Sequence, residues 1–381
     1  MIALAWRQLI REPLRLLIAV AGVAFAVILI FMQLGFQTAL YASGVRLHNR
    51  FSSQLFMVNP QSSHLNAMIP FSRRRLYQAL GYPGVQAVSS LYMDLAGWKN
   101  PITRETRGIL VVAFDPSDHV LDMPDVEVNR SMIQHPDVVL FDAASRPEFG
   151  PIAERFRAGH EVTAEVSRRR LKVVGLFDLG PSFGIDGNVI TSDINFLRLF
   201  PKRRAGLIEV GLLWIKPGWD PKAVAETLHD SLPADVKILT KDELIAQEVE
   251  YWRHNTPIGY VFSFGVIMGF VVGTIIVYQI LFADVSDHLT EYATLKAMGY
   301  TNRFLFGVVL AEAVTLAVGG FLPGLFVSWQ AYQATENATG LPMRFTLPLM
   351  LSVLALTVFM CCLSGAITLR KVRSADPAEV F

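Results

Sequence analysis

The sequence predicts an α-helical membrane protein: four transmembrane helices, with a large extracytoplasmic α+β domain inserted between the first and the second. Three observations carry this. Of 381 residues, 52% are hydrophobic and only 18% charged, with mean hydropathy +0.38, which is too apolar for an ordinary soluble domain. Apolar stretches at 16–40, 257–283, 304–332 and 346–369 each reach or approach the roughly 20 residues needed to cross a bilayer. A long segment of mixed polarity, 41–256, separates the first stretch from the other three. The net charge of +1 argues against nucleic acid as a partner, which favours a strongly basic face. Both cysteines, Cys361 and Cys362, sit in the fourth stretch, so the large domain has no disulfide and no cysteine metal site.

Residues 1–15 read as a cytoplasmic interfacial helix. Arg7, Arg11 and Arg15 form a cationic stripe, and Ile2, Trp6, Leu9 and Ile10 supply apolar surface, with Trp6 suited to the headgroup level. A simple positive-inside anchor is compatible with the same residues. The apolar run at 16–40 is about 25 residues, against roughly 7–15 for a signal-peptide core, so it reads as a retained helix. Arg7, Arg11 and Arg15 precede the first crossing, and Arg370, Lys371 and Arg373 open a tail at 370–381. That bias puts both termini in the cytoplasm, 41–256 and a short loop at 333–345 outside, and the loop 284–303 inside.

Within 41–256, strands are expected at 55–59, 85–95, 108–114, 161–177, 188–191, 209–216 and 236–239. Helices are expected at 72–80, capped by Ser72 and ended by Gly81-Tyr82-Pro83-Gly84, and at 221–231. The stretch 115–159 is less periodic. The pattern suggests two subdomains: 41–114 with 207–242 near the membrane, and 115–206 farther out.

In the second crossing Gly265, Gly269 and Gly273 recur every four residues, and Gly22 and Ala26 offer a small surface in the first. Such stripes let helices approach closely, either inside one subunit or at a subunit interface. In the loop 284–303, Ser286 or Asp287 is placed to cap a helix of about three turns, which Gly299 ends in the left-handed conformation. Leu289, Tyr292, Leu295 and Met298 give it an apolar face, which lies on the membrane or fits a groove on a cytoplasmic partner. Glu312 falls inside the third crossing, where a carboxylate costs roughly 2.5–3.5 kcal/mol on insertion scales. It is a proton or ion site or a structural hydrogen-bond acceptor, and its isolation in the sequence favours the second.

No phosphate-binding G-x-x-x-x-G-K-[ST] loop and no H-E-x-x-H occur, and the eight histidines are scattered. Gly180-Pro181-Ser182-Phe183-Gly184 fits the hydrolase G-x-S-x-G pattern. The residues after it, Ile185-Asp186-Gly187-Asn188, are turn formers rather than the required helix start, so a glycine-rich turn is the better reading. Arg73–Arg75 and Arg168–Arg170 read as solvated surface.

The segment Glu291-Tyr-Ala-Thr-Leu-Lys-Ala-Met-Gly-Tyr300 resembles the coupling region of FtsX/MacB-like permeases of the type VII ABC transporter superfamily. Ser374-Ala-Asp-Pro-Ala-Glu-Val-Phe381 resembles their C-terminal motif. The layout of one crossing, a domain and three crossings is also theirs. More narrowly, the chain is similar to DevC-type ABC exporter permeases. The stretches are Ala5-Trp6-Arg7-Gln8-Leu9, Gly180-Pro181-Ser182-Phe183, Asp186-Gly-Asn-Val-Ile-Thr-Ser-Asp193 and Asp284-Val-Ser-Asp-His288. The resemblance implies a homodimer in the inner membrane of a Gram-negative-type bacterium, with no catalysis and no cofactor of its own. ATP and Mg would be bound by a separate cytoplasmic ATPase dimer. A periplasmic membrane-fusion adaptor and a TolC-like outer-membrane channel would complete the assembly. The substrates implied are lipid-like, glycolipids in particular, moved by mechanotransmission through porter and sabre subdomains. The ATPase groove would receive Leu289, Glu291, Tyr292, Leu295, Lys296, Met298, Gly299 and Tyr300. The same resemblance admits an alternative: an FtsX-like signalling protein that regulates a periplasmic partner and exports nothing.

Overall fold

The computed structural model describes residues 13–374, with side chains through Thr368. The expected interfacial helix at 1–15 lies outside the described residues up to position 12, and so does the tail motif beyond Ser374. The chain divides into two compact units. One holds the membrane-type helices, up to Ala39, Pro257–Asn337 and from Met343 onward; the other is Leu40–Thr256 with Ala338–Pro342. Helix α1 (Pro13–Gly44) opens the first unit.

The second unit is built on a nine-stranded sheet. In chain order its elements begin α2 (Arg46–Arg50), β1 (Leu55–Val58), β2 (Phe71–Ser72), α3 (Arg74–Leu80), β3 (Val85–Lys99), β4 (Thr106–Phe114) and α4 (Pro124–Asn129). There follow β5 (Val138–Asp142), α5 (Ile152–Arg157), β6 (Thr163–Val166), β7 (Arg169–Phe177), β8 (Asn188–Ser192) and α6 (Asp193–Leu199). The last are β9 (Leu207–Ile208), β10 (Val210–Ile215), α7 (Pro221–Ser231), β11 (Lys237–Thr240) and α8 (Lys241–His254). The strand order is β11-β1-β10-β3-β4-β8-β5-β7-β6. Strand β3 is the spine: its first half pairs with β10 and its second half with β4. Its far end also pairs with β6, Trp98 opposite Val166 and Lys99 opposite Glu165. Strands β3, β4, β8, β5, β7 and β6 therefore close into a barrel.

Alternation along the strands fills that barrel. Trp98, Ile109, Val111, Val139, Phe141, Val166, Leu171, Val173 and Val189 belong to one buried cluster, and their neighbours Leu110, Val112, Leu140 and Ile190 to the cluster on the other face. The Trp98 ring lies 5.1 Å from that of Phe141 and donates its Nε1–H to the Phe149 carbonyl at 3.2 Å. The interior is a packed core, not a pore.

The expected division at residue 115 does not follow the sheet. Strand β4, assigned to the membrane-proximal part, is a barrel strand paired with β8, and the change of partner occurs midway along β3. Strand β5 falls in the stretch read as aperiodic. All five of its residues are buried, and a strand covered on both faces shows no alternation. Ser72 does not cap α3; it lies in β2, and α3 follows Arg73 without a side-chain cap.

The first unit is completed by α9 (Pro257–Asp287), α10 (Leu289–Ala297), α11 (Asn302–Thr339) and α12 (Leu347–Ser374). Helices α1, α9, α11 and α12 are each long and apolar enough to cross a membrane. A Cβ on Gly265 would meet Gln33, on Gly269 Ile30, on Gly273 Ala26 and Met360, and on Gly22 Ile276. At these positions the small-residue stripe therefore packs α9 on α1 within the chain, the first of the two alternatives. A second stripe, not singled out in the sequence, does the same on α11. A Cβ on Gly320 would meet Val23 and one on Gly324 would meet Val27, each also close to an α1 carbonyl. Helix α1 is thus gripped by backbone-close contacts from two helices.

Candidate coupling site

Helix α9 runs on through Asp287, so neither Ser286 nor Asp287 caps α10. The Ser286 hydroxyl donates back to the Phe282 carbonyl, Asp287 accepts from Arg15, and His288 precedes α10 without a side-chain cap. Helix α10 has nine residues. Its end is as expected: Gly299 has φ +91°, Tyr300 N–H donates to the Leu295 carbonyl at 3.1 Å and Gly299 N–H to that of Lys296 at 3.0 Å. This pair of bonds is the Schellman motif, which needs a residue without a Cβ at the left-handed position.

The apolar face of α10 is divided between two surroundings. Tyr292, 2% exposed, packs with Val285, Leu305 and Val309, and Leu295 lies against the same cluster, half-buried. Ala293 is buried, and Leu289 and Lys296 are half-buried. Glu291, Met298, Gly299 and Tyr300 are exposed, Met298 at 63%. Tyr292 is therefore a seat inside the chain, not an outward contact, while Met298, Gly299 and Tyr300 form an exposed tip, with the Tyr300 ring 4.7 Å from that of Phe304. The Tyr292 hydroxyl is pushed above its ordinary range by burial and then by the charges of Glu312, Asp284 and Glu291.

Glu312 on α11 is 1% exposed. It is not isolated: Asp284 of α9 lies beside it. The acids stand 28 positions apart in the chain and meet because the short α10 folds α11 back on α9.

The second unit holds a junction that sequence reasoning missed. Arg46 on α2 donates from Nη1 to the Leu179 and Pro181 carbonyls at 3.3 and 3.1 Å, and from Nη2 to that of Gly340 at 3.2 Å. From inside, the fully buried Asp142 carboxylate accepts from Leu179 N–H, Gly180 N–H and Asn188 Nδ2 at 3.0, 2.9 and 2.8 Å. Burial pushes the Asp142 carboxyl up, against these donors. Gly180 has φ +89°, and a Cβ there would strike Arg46 Nη1. The G-x-S-x-G stretch is thus an arginine-receiving turn. Ser182 Oγ accepts from the Gly184 and Ile185 N–H groups, and strand β8 follows rather than a helix.

Helices α2 and α8 are joined by a second buried group. The Glu248 carboxylate accepts from Leu65 N–H and Trp252 Nε1–H, both at 2.8 Å, with His48 Nε2 at 3.5 Å. Burial alone would raise Glu248, but His48 and these donors outweigh it and hold the carboxyl below its ordinary range. In the sequence, Glu248 looks like one more solvated acid of a polar helix, and Arg46 like one of many surface cations.

Comparison with known proteins places these features. Residues 263–377 match the family model of the FtsX-like permease C-terminal domain. Two uncharacterized ABC transporter permeases of Mycobacterium tuberculosis, from strains CDC 1551 and H37Rv, are each 21% identical over 318 residues, 82% of this chain and 79% of theirs. Among solved structures, the periplasmic region of MacB from Actinobacillus actinomycetemcomitans matches 54% of this chain and 95% of its own, at 12% identity and TM-score 0.36. The extracellular domain of the ABC-type transporter YknZ from Gram-positive bacteria matches 50% of this chain and 100% of its own, at 11% identity and TM-score 0.33. Residues 263–377, from within α9 onward, thus carry an FtsX-like permease C-terminal domain, and over most of its length the chain is similar to ABC transporter permeases.

Proposed function

We propose that the chain is the permease subunit of a tripartite exporter of lipid-like substrates, glycolipids by its likeness to DevC-type permeases. It works as a homodimer with a cytoplasmic ATPase dimer that binds ATP and Mg, a periplasmic adaptor and an outer-membrane channel. Its own task is mechanical. The observation that carries this reading is the build of α10: the tip Met298–Tyr300 is exposed, while Ala293 is buried and Tyr292 packs on Val285 of α9 and on Leu305 and Val309 of α11. A force applied at the tip is delivered through Tyr292 into α9 and α11 rather than dissipated in a loose loop. Helix α9 is unbroken for 31 residues and follows α8 in the chain after a break at Asn255 and Thr256, and Arg46 holds the connection after α11 at Gly340. Both give the motion a path to the large domain. The test is Met298→Asp and Tyr300→Asp, scored by the partner's ATPase rate in the reconstituted complex. Stimulation should be lost while membrane insertion stays normal, and unchanged stimulation would sink the reading.

A further inference from the structure

His119, in the loop between β4 and α4, has a carboxylate at each ring nitrogen. Its Nδ1 lies 2.9 Å from Glu127 Oε2 on α4, and its Nε2 lies 3.0 Å from Asp122 Oδ1 in the same loop. A neutral imidazole carries one N–H, so one of these contacts would set a ring lone pair against a carboxylate. Only the imidazolium donates at both nitrogens. The hydrogen bond to Glu127, aided by Asp122 and opposed by partial burial, holds the ring above the ordinary imidazole range. The loop is paired with the segment that follows α2. Asp122 N–H donates to the Arg50 carbonyl at 2.7 Å and Ser52 N–H to that of Val120 at 3.1 Å, with Phe51 opposite Leu121 between them. Ser52 Oγ donates to the carbonyl of His119 itself. Arg50 ends α2, which follows α1 in the chain after Val45 alone. Phe51, Val120 and Leu121 are buried, so apolar packing holds the middle of this pairing at any pH, and the ion contacts act on the His119 end and on α4.

We propose that protonated His119 is a pH-sensitive clasp, which through Glu127 and Asp122 fastens α4 and its loop to the segment leading in from α2. This goes beyond the transport reading and does not depend on it. Other charged groups on the elements that meet here, among the described residues, are accounted for as follows. Arg130 pairs with Glu127 Oε1 at 3.1 Å, Asp115 accepts from Ser117, and Lys241 donates to the Asn49 and Phe51 carbonyls. Arg46 is spent on the Pro181 carbonyl and its neighbours, and His48 lies beside Glu248. Arg50, Asp118 and Asp125 complete these elements, and Asp122 also lines a cleft with Asp220, Lys222, Lys241 and Asp242. The folded chain binds the His119 proton more tightly than the unfolded chain does. The clasp is therefore complete below the ordinary imidazole range and is lost as pH rises through the folded value. Each ion contact is open to solvent and weak alone, so the clasp governs local opening rather than global melting.

The test is hydrogen–deuterium exchange of the full chain in lipid nanodiscs, with rates corrected for the intrinsic effect of pH. Peptides over 115–130 should lose protection about three- to tenfold as pH rises from about 6 to about 8.5, while peptides over β10 stay unchanged. His119→Gln should show the loosened rate at both ends of that range. Glu127→Gln keeps the ring but removes its main acceptor charge, so it should move the loss of protection to lower pH, and it still decides if His119→Gln does not fold. Wild-type protection of 115–130 that is indifferent to pH overturns the proposal. So does a pH dependence that survives unchanged in His119→Gln or in Glu127→Gln.

Discussion

Replacing Arg46 with alanine removes three donated hydrogen bonds, two of them part-buried and one exposed. A charged donor to a carbonyl contributes about 1.5–3 kcal/mol when enclosed and less when solvent competes. Discounting for exposure, we expect a loss of about 2–3 kcal/mol. For a domain of this size that lowers the melting temperature by roughly 5–10 °C. Gly180→Ala should cost a similar amount, for two separable reasons. The left-handed backbone costs about 1–2 kcal/mol with any Cβ, and the new methyl also strikes Arg46 Nη1. The second cost vanishes once Arg46 is gone. The two substitutions should therefore be sub-additive by about 1 kcal/mol or more in a double-mutant cycle, read by thermal unfolding of the full chain. Limited proteolysis of the Ala338–Pro342 connection should quicken in Arg46→Ala. A melting temperature within a degree of wild type, or strict additivity, would refute the junction.

Gly320→Leu drives a side chain into Val23 and the α1 backbone. It should destabilise the helical unit by about 1–3 kcal/mol, seen as earlier thermal aggregation in detergent, whereas Gly319→Ala, which meets only Val20 at 3.6 Å, should be tolerated. Glu248 has a folded-state pKa below its unfolded value, so its contribution is complete above the ordinary carboxylate range and lost as pH falls through the folded value. Glu248→Gln should be less stable at neutral pH by about 1–3 kcal/mol yet flatter on the acid limb; parallel acid limbs would count against the assignment. Tyr292→Asp buries a third carboxylate beside Glu312 and Asp284 and should impair folding, while Met298→Asp should change stability by about 0.5 kcal/mol or less. Equal melting of the two variants would contradict the division of the α10 face.

The long apolar stretches were legible because a bilayer demands length and hydropathy, both local properties. Strands β6 and β7 were legible because one face is wetter than the other, whereas β1 and β8, buried throughout, were legible only as short apolar or β-branched runs. What escaped had no local signature. Strand β5 is buried on both faces and shows no alternation. Helix α8 carries a capping box at Thr240 and Glu243, but its polar sequence hides the one face that packs. Barrel closure depends on Trp98 meeting Val166, a pairing across 68 positions that no window reveals. The same holds for Arg46, Gly180 and Gly340, and for Asp284 with Glu312. Each set is assembled by the fold, and each member alone resembles a commonplace residue.

The α10 stripe teaches a narrower point about reading apolar faces. Leu289, Tyr292, Leu295 and Met298 share one helical face, and amphipathic spacing alone treats them as one surface. Yet α10 is only nine residues long and is held between two far longer helices, so a single face cannot meet a single partner along its whole length. The middle must pack on α9 and α11 or the helix would not be seated. The end, past Ala297, is exposed, with the Tyr300 ring resting 4.7 Å from that of Phe304 on α11. A short helix between two membrane helices is therefore best read by position along its axis as well as by angle around it. Inner residues such as Tyr292 report on seating, and terminal ones such as Met298 and Tyr300 report on whatever docks from outside. Substitutions at the two classes answer different questions, and only the second class tests the coupling proposed above.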